Sequence, residues 1–401
     1  MHCHYMPLCN TVQYCLYNIL SMYGYVCISR CVVQCVHQSC AIGRLGNQIE
    51  QFLGMIAFAI KVNRTLVLPP WIMMSSFRTE FIPFGELFNI TKLSSVHQVI
   101  SQEDFMINLA PVVWPTDRRK VICWQPRSGP LVNDCNAKNG NPFKAFWDRF
   151  NVNFTGSTFY SPLSVESSKE QWDNLFPKEM YPVLAFVGPI SAFPVNPKNR
   201  LYHRYLEWSD RINTLINQYI DQSLIKPIVG VHLRNGIDFL NACSYLKHTP
   251  KALFSSGQCH GDMNEFPPYK VTDSMCTPSK EIILQTILYA VGLIKARSVY
   301  IATDNNPMLS IIRQHLMNTT VEKVVWKTDS LPEEDMALLG RSDLTILNCI
   351  STYSAAIKRE RDVKRLPSMF FGLTNEDQRG LEVLCTTSDS IHNWWLKFYR
   401  K

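Results

Sequence analysis

The second half of the chain alternates short apolar runs with amphipathic segments, and this alternation limits the possible folds more than any other feature. Residues 228–232, 299–303 and 344–347 are rich in β-branched and small residues, a pattern typical of buried strands. Residues 205–223 and 280–296 have the spacing of amphipathic helices. Buried strands that alternate with helices predict a parallel, doubly wound α/β sheet.

Polar residues follow the first of these strands at the point where it ends. His232 and Arg234 are followed by Gly236 and Asp238. In open α/β sheets, ligands lie beyond the carboxyl ends of the strands. The guanidinium fork matches a diphosphate better than the point charge of lysine does. We therefore expect Arg234 to hold an anionic, nucleotide-bearing ligand, whereas His232 taken alone could equally be an interior histidine.

Two further loops are expected to open on the same edge of the sheet. Asp304 follows the strand at 299–303, and Ser351, Thr352 and Tyr353 lead into another helix. A helix N-terminus with hydroxyl groups is a ready anion site, because its unpaired N–H groups point at the ligand. The alternative for Ser351 and Thr352 is simple N-capping. Tyr353 is placed to lie against a base or a sugar.

A glycine-containing segment near the start of the foldable region is a second candidate. Residues 43–48 read as a turn-rich loop before a helix at 49–62, and they are expected to face the same edge across a cleft. Arg44 and Asn47 supply donors, and Gly46 permits close backbone approach. The Gly-x-x-Gly spacing is not a dinucleotide fingerprint. Residues 146–148, Phe-Trp-Asp, read as a structured loop.

Composition narrows the compartment and the class of ligand. Fourteen cysteines without paired zinc spacing favour disulfides in an oxidising compartment. The net charge of +7 favours anionic ligands, but no basic stripe interleaved with aromatic residues suggests nucleic acid. The sequence contains no run of eighteen consecutive apolar residues, so no membrane-spanning helix is predicted. The sequence also lacks a P-loop, a G-x-S-x-G elbow and an Asp-x-Asp pair that would indicate a metal-bridged sugar nucleotide.

Four N-glycosylation acceptors support the secretory pathway, and they are Asn63, Asn89, Asn153 and Asn318. Residues 1–40 lack a clear basic segment and a clean cleavage site. They are interpreted either as a poor leader or, as the composition change near residue 41 favours, as a mis-assembled N-terminus. Ordered structure is expected to begin near Ala41.

Several motifs in order resemble the GDP-fucose protein O-fucosyltransferase family, over residues 41–372. The motifs that carry the resemblance are Gly-Arg-Leu-Gly-Asn-Gln-Ile-Glu-Gln-Phe-Leu-Gly at 43–54, Asn-Pro-Phe at 141–143 with Phe-Trp-Asp at 146–148, Val-Gly-Val-His-Leu-Arg at 229–234, Val-Tyr-Ile-Ala-Thr-Asp at 299–304, Asn-Cys-Ile-Ser-Thr at 348–352, Lys-Arg-Glu-Arg-Asp at 358–362 and Phe-Phe-Gly at 370–372.

The resemblance implies a GT-B fold, with two Rossmann-like domains facing across a cleft. The implied divisions are an atypical N-terminus at 1–40, an acceptor-side domain at 41–224, a GDP-fucose-binding domain at 225–372 and a tail at 373–401. The implied reaction is an inverting transfer of fucose from GDP-fucose to Ser or Thr of folded EGF-like repeats, as in Notch receptors. It needs no metal or other cofactor. The implied compartment is the lumen of the endoplasmic reticulum. The four acceptor sites separately predict a glycoprotein, and a monomer is the default expectation for the chain.

The family's functional residues map onto matching positions of this chain. Arg234 corresponds to the essential arginine, and Asn47 to the catalytic asparagine near fucose and acceptor. The other implied contacts to GDP-fucose are Arg44, Gly46, His232, Asp238, Asp304, Asp335, Ser351, Thr352 and Tyr353, the last replacing a phenylalanine. No carboxylate stands out as general base, so the acceptor proton could leave through Asn47 or a phosphate oxygen.

The resemblance also implies three disulfides, and these are Cys123–Cys135, Cys243–Cys276 and Cys259–Cys349. The partners of Cys40 and Cys385 stay open. The C-terminus lacks a KDEL-like retrieval signal.

Three alternatives remain on sequence grounds. The first is a non-enzymatic binding or chaperone module on the same fold. The second is a fucosyltransferase for another acceptor, such as thrombospondin repeats. The third is an unrelated phosphate-binding enzyme of the doubly wound class.

Overall fold

A computed structural model describes residues 31–34, 44–74, 79–245, 254–260 and 272–372. The chain divides into two compact units that each draw on separate stretches of sequence. The first unit comprises Met1–Cys35, Ala59–Pro69 and Gln98–Val187, and the second comprises Val36–Phe58, Pro70–His97 and Gly188–Lys401. Among the described residues, no helix combines the length and apolar character needed to span a membrane.

Thirteen described strands form two parallel sheets and one hairpin. In chain order they are β1 Cys31–Gln34, β2 Thr65–Leu68, β3 Trp71–Met74, β4 Thr79–Ile82, β5 Val99–Ser101, β6 Lys120–Cys123, β7 Gly156–Phe159, β8 Val183–Phe186, β9 Ile228–Leu233, β10 Ser298–Thr303, β11 Lys323–Val325, β12 Leu344–Leu347 and β13 Ser368–Phe370.

The first unit contains a six-stranded parallel sheet with the order β5-β2-β1-β8-β6-β7. Its interior is rich in aromatic residues. The rings of Trp114 and Trp147 both pack against Phe154, and Trp172 stacks on Phe176. Large aromatic side chains bury much apolar surface, so they supply most of the packing in this unit.

The second unit contains a five-stranded parallel sheet with the order β11-β10-β9-β12-β13. Val229 pairs with Val299 on one side and Leu344 on the other. All six residues of β9 are buried, as expected for a central strand covered on both faces. Because the three central strands run parallel, their carboxyl ends meet at one edge.

Helices connect the strands in both units. In chain order they are α1 Leu45–Val62, α2 Phe84–Leu87, α3 Ile90–Ser94, α4 Gln102–Asp104, α5 Ala110–Val113, α6 Phe143–Arg149, α7 Lys169–Leu175, α8 Asp210–Ser223, α9 Ile237–Ser244, α10 Asp273–Cys276, α11 Lys280–Ile294, α12 Leu309–His315, α13 Pro332–Leu339 and α14 Thr352–Val363. Phe105–Leu109 is π-helical, and Thr116–Arg118, Pro197–Tyr205 and Ser256–His260 are 3₁₀ turns.

Two sequence expectations about helix boundaries are wrong. Helix α8 begins at Asp210, since the Ser209 hydroxyl accepts a hydrogen bond from the Ile212 N–H and caps it there. Helix α1 begins at Leu45, so Gly46 and Asn47 are helical rather than part of a loop. A helix start within a glycine-containing segment carries little periodic signal, which explains the second error.

Two expectations about other elements also need correction. The Phe-Trp-Asp segment is part of helix α6, because Phe143, Phe146 and Trp147 bury one helical face. Strand β1 lies at Cys31–Gln34, between β2 and β8, so ordered structure begins before Ala41. The rest of residues 1–40, with the tail at 373–401, lies outside the described residues.

Candidate functional site

The carboxyl end of β9 delivers two polar side chains from a buried strand. Gly230 allows the strand to approach its neighbours, since a Cβ there would lie 2.7 Å from Ser342 Oγ and 2.8 Å from Leu339 Cδ2. His232 is buried within the strand, and Arg234 follows immediately after it. The sheet therefore fixes the backbone of both residues.

Two carboxylates orient the guanidinium of Arg234. Its Nη1 and Nη2 donate to Asp238 Oδ1 and Oδ2 at 3.1 and 2.8 Å, and Nη1 is also paired with Asp304 Oδ2. The guanidinium carbon lies 4.9 Å from the ring centroid of Phe239. Burial lowers the pKa of Arg234, and Asp238 opposes that change. The group is thus a fixed cation at the sheet edge.

Arg44 adds a second positive charge to this cluster. Its Nη2 lies 3.8 Å from Asp238 Oδ2, and its Nη1 lies 3.6 Å from Asp304 Oδ2. Although burial favours the neutral carboxyl, hydrogen bonding to Arg234 and the charges of both arginines lower the pKa of Asp238. Two arginines and two aspartates therefore form a charge-balanced group, and an anionic ligand can recruit the arginines.

Gly236 makes this arrangement possible. A Cβ at Gly236 would lie 2.4 Å from Asp304 Oδ2 and 2.8 Å from Arg234 Nη1. Asp304 Oδ1 also accepts hydrogen bonds from the backbone N–H groups of Asn235 and Gly236, at 3.1 and 2.9 Å. The turn after β9 is therefore built around the Asp304 carboxylate, which lies at the end of β10.

Two helix N-termini converge beside this cluster. Asn47, in the first turn of α1, accepts a 2.5 Å hydrogen bond from the Thr352 hydroxyl at the start of α14. A Cβ at Gly46 would lie 2.4 Å from the Tyr353 nitrogen, so no larger residue fits there. Ser351 caps α14 by accepting from the Ser354 N–H. Aligned peptide dipoles make both helix starts favourable for a negatively charged group.

His232 is neutral and held from one side. Its Nδ1 lies 2.7 Å from Ser354 Oγ, and its ring centroid is 4.7 Å from that of Tyr353. Burial, assisted by the charge of Arg234, lowers the pKa of His232 to about 3. A neutral imidazole next to an aromatic ring suits a heterocyclic base better than a phosphate.

Asp335 lies in the first turn of α13 and faces β10. The Tyr300 hydroxyl donates to Asp335 Oδ1 at 2.5 Å. Burial raises the pKa of Asp335 to about 6, although the hydrogen bond from Tyr300 acts in the opposite direction. The Tyr353 hydroxyl donates to the Pro332 carbonyl at the start of the same helix. Asp335, Tyr353 and His232 thus belong to one neighbourhood built by α13 and α14.

The sequence reasoning missed a buried ion pair that joins α1 to α14. Arg359 Nη2 lies 2.5 Å from Glu50 Oε1, and Glu50 Oε2 accepts from the Val195 N–H at 3.0 Å. Glu50 is 1% exposed and Arg359 is 6% exposed. Glu50 lies one turn after Asn47, and Arg359 two turns after Thr352. The run of charges at 358–362 within an apolar setting was the available signal.

The structure contains all three disulfides that the resemblance implies. Their Cα–Cα distances are 5.7 Å for Cys123–Cys135, 5.9 Å for Cys243–Cys276 and 5.0 Å for Cys259–Cys349. The second joins α9, which carries Asp238, to α10. The third joins the 254–260 segment to the loop that precedes Ser351. Two of the three disulfides therefore brace the candidate site.

The structure also shows the exposure of the four predicted glycosylation acceptors and the arrangement of potential metal ligands. Asn63, Asn153 and Asn318 are exposed, whereas Asn89 is half-buried and caps α3 by accepting from the Lys92 N–H. Within the described ranges, no group of three or more His, Cys, Asp or Glu side chains is arranged to hold a metal ion.

Comparisons with known proteins identify the family. The family model described as GDP-fucose protein O-fucosyltransferase matches residues 38–364. The chain is 37% identical over 346 residues to "GDP-fucose protein O-fucosyltransferase 1" of Caenorhabditis elegans, covering 83% of this chain and 88% of that protein.

Solved structures agree with this match. The crystal structures of POFUT1 with GDP and with GDP-fucose are both 36% identical to the chain, with a TM-score of 0.81. Each comparison covers 86% of this chain, and 99% and 98% of the respective structures. The α/β fold is therefore of the GT-B type, and the chain belongs to the GDP-fucose protein O-fucosyltransferase family of glycosyltransferases.

Proposed function

We propose that this fucosyltransferase moves fucose from GDP-fucose to Ser or Thr of folded EGF-like repeats, with inversion and without a metal. The observation that carries the proposal is the position of Arg234. Its guanidinium lies at the end of β9, is oriented by Asp238 and Asp304, and lies in the same unit as the N-termini of α1 and α14.

The diphosphate is the group that these residues would bind. Arg234 would hold the β-phosphate, with Arg44 as a second cation and the N–H groups near Gly46, Ser351 and Thr352 completing the site. When the bond from the anomeric carbon to the phosphate oxygen breaks, negative charge grows on GDP. Preorganised donors stabilise that charge as it forms, so Arg234 lowers the barrier by electrostatic catalysis.

The transfer is a single displacement in this proposal. The acceptor oxygen bonds to the anomeric carbon from the face opposite the departing GDP, so the configuration inverts. The acceptor proton leaves late, after the bond from the anomeric carbon to GDP has broken, and it ends on a phosphate oxygen of the free GDP. Asn47, fixed by its hydrogen bond from Thr352, positions the fucose and the acceptor hydroxyl.

The guanine would lie against His232, Asp335 and Tyr353. A carboxylate can accept from both the ring N–H and the amino group of guanine, whereas adenine offers no such pair. The Tyr353 ring, tilted against the neutral imidazole at a centroid distance of 4.7 Å, offers the base an aromatic surface. This assigns nucleotide specificity to α13 and α14.

We assign the enzyme to the lumen of the endoplasmic reticulum, as a glycosylated monomer acting on EGF-like repeats of proteins such as Notch receptors. The three disulfides support an oxidising compartment. The exposure of Asn63, Asn153 and Asn318 is compatible with glycosylation. The name of the C. elegans relative gives a protein as the acceptor, and the choice of EGF-like repeats is part of this proposal.

The experiment is a transfer assay with GDP-fucose and a folded EGF-like repeat, run with and without chelator. Arg234→Ala should lower kcat by at least about 10²-fold. Arg118→Ala, whose side chain is 80% exposed in the first unit, is the matched control and should behave as wild type. The linkage of the product, read by NMR, tests inversion.

Three outcomes would contradict parts of the proposal. Equal rates for Arg234→Ala and wild type would favour a non-enzymatic module. Transfer to thrombospondin repeats but not to EGF-like repeats would change the acceptor. Loss of activity with chelator, restored by a divalent cation, would remove metal independence.

A further inference from the structure

Asn348 is a buried asparagine at the carboxyl end of β12, and its polar groups are engaged on several sides. It is 1% exposed. Its Nδ2 donates to the carbonyls of Met275 and Cys276 at 3.3 and 3.0 Å, and its Oδ1 accepts from the Ile350 N–H at 3.1 Å. Burial of an amide is favourable only when its hydrogen bonds are satisfied, so the side chain has one available orientation.

One set of these bonds leads towards Arg234. Cys276, whose carbonyl binds Asn348, is disulfide-bonded to Cys243 in α9. The same helix carries Asp238, which holds both terminal nitrogens of Arg234. Asn348 therefore links the end of β12 to the helix that orients the arginine.

The other set leads towards His232. The backbone N–H of Asn348 donates to Ser354 Oγ at 3.1 Å, and that hydroxyl lies 2.7 Å from His232 Nδ1. His232 and Arg234 lie two residues apart along the chain at the end of β9. The contacts thus form a continuous series that begins at Arg234 and returns to His232, both at the carboxyl end of that strand.

The loop between Asn348 and the start of α14 is held by this series of contacts and also by contacts with the 254–260 segment. Ile350 accepts a backbone hydrogen bond from Ser255 at 3.0 Å, and Cys349 is bonded to Cys259 in the same segment. Ser351 and Thr352 come directly after these residues. Their position relative to Arg234 therefore depends on how the Asn348 side chain is bonded.

We infer that Asn348 is a positioning residue for donor binding, because it fixes the phosphate-binding loop at 349–352 relative to His232 and Arg234. The inference rests on the proposed function, since the donor is taken to be GDP-fucose. Asn348 itself need not touch the nucleotide. Its side chain acts on the donor site through the Ile350 N–H on one side and through the Cys276–Cys243 bond on the other, and its backbone N–H adds the contact to Ser354.

The test is Asn348→Asp, which keeps the shape and the acceptor for the Ile350 N–H but removes the two donors. Loss of both hydrogen bonds, together with a buried carboxyl oxygen that now faces the carbonyls of Met275 and Cys276, should raise KM for GDP-fucose and the calorimetric Kd for GDP at least about tenfold. The kcat and the acceptor KM should stay within about twofold, because uniform donor binding is lost. A purely structural role would lower Tm without changing these ratios.

Asn136 in the first unit offers a matched control. It is 5% exposed, and its Nδ2 donates to the carbonyls of Arg127 and Leu131 at 2.8 and 3.0 Å. Its Oδ1 accepts from the Leu131 N–H. Asn136→Asp should lower Tm by a similar amount and leave the donor KM and GDP Kd unchanged.

A second variant covers the case in which Asn348→Asp does not fold. Removing the next link with Cys243→Ser and Cys276→Ser should also raise the donor KM, by about threefold, with kcat preserved. An unchanged GDP Kd in whichever variant folds, beside tight binding by the wild type, would overturn this inference alone. Absence of GDP binding by the wild type would overturn the proposed function and this inference with it.

Discussion

The two sheets are both parallel, but they differ in the residues that follow the carboxyl ends of their strands. In the six-stranded sheet, β2 ends at Leu68 before two prolines, and β6 ends at Cys123, which is bonded to Cys135. In the five-stranded sheet, the chain continues from the strand ends into Arg234, Asp304 and Asn348. Parallel strands create an edge for a ligand, but the residues that follow them decide whether that edge is packed or chemically active.

The largest expected effect concerns Gly46, where α1 touches α14. Gly46→Ala places a Cβ within 2.4 Å of the Tyr353 backbone nitrogen, and backbone cannot move aside as a flexible side chain can. A displacement of about 1 Å between the two helix starts should lower kcat/KM on the order of 10²-fold. Steady-state transfer rates check this.

Gly292→Ala in α11 is the control for Gly46, because a Cβ added at Gly292 would have no atom within 4 Å other than those of its chain neighbours and its own helix backbone. It should be neutral or raise the free energy of unfolding by up to about 1 kcal/mol, as Ala favours helix. Wild-type activity in Gly46→Ala would show that the two helix starts do not need their close approach.

The next largest effect is expected when one disulfide in the second unit is removed and compared with removal of one in the first unit. Replacing Cys259 and Cys349 by serine should reduce GDP affinity about fivefold to tenfold, because the loop before Ser351 loses its tether. Replacing Cys123 and Cys135 should lower stability but leave GDP affinity as in the wild type. Calorimetry and thermal unfolding of both double variants measure the two quantities separately.

The sizes of the two stability losses should also differ. The Cys259–Cys349 bond closes a separation of 90 residues and the Cys123–Cys135 bond one of 12, so the chain-entropy model assigns the larger loss to the first. Equal GDP affinities in the two double variants would contradict the role of the Cys259–Cys349 disulfide in donor binding.

A pH dependence should follow from Asp335, whose pKa burial raises to about 6. In the ligand-free protein, this carboxyl stabilises the fold at low pH, and that contribution is lost as the pH rises from about 4 to about 6. Guanine binding has the opposite sign, since it needs the ionised acceptor. GDP affinity should therefore fall by up to about tenfold per pH unit below about 6.

Calorimetry between about pH 5 and pH 8 on wild type and Asp335→Asn tests the pH prediction. Asp335→Asn supplies the baseline, because its pH dependence reports the titration of the GDP phosphate without that of Asp335. His232 does not contribute, because its pKa of about 3 keeps it neutral throughout. Identical slopes for the two proteins would exclude Asp335 from guanine binding.

The smallest effect concerns helix caps. Ser351→Ala at α14 and Ser168→Ala at α7 each remove a side-chain acceptor at a helix start, at a cost of about 1 kcal/mol in stability. Only Ser351→Ala should also raise the donor KM, by about threefold, since its helix start would face the diphosphate in the proposed complex. Equal donor KM values for Ser351→Ala and Ser168→Ala would show that Ser351 acts only as a helix cap.

Much of the second unit could be predicted from the sequence, because its strands carry a strong local signal. The apolar runs at 228–232, 299–303 and 344–347 are long enough to specify buried strands, and each is found within a residue or two of its expected bounds. Helix α1 and helix α8 were misplaced at their starts, because caps and glycines at a helix start obey tertiary contacts more than periodicity.

Local pattern and motif spacing were sufficient for the α/β class, for the strand that carries His232 and Arg234 and, through resemblance, for the family and the disulfide pairs. These properties can be recognised without knowledge of the fold. Three contacts became known only from the folded chain: Asp238 and Asp304 share one guanidinium, Gly46 lies against Tyr353, and Asn348 joins two sides of the site. Such contacts link residues up to hundreds of positions apart, and no local periodicity encodes which distant groups will meet.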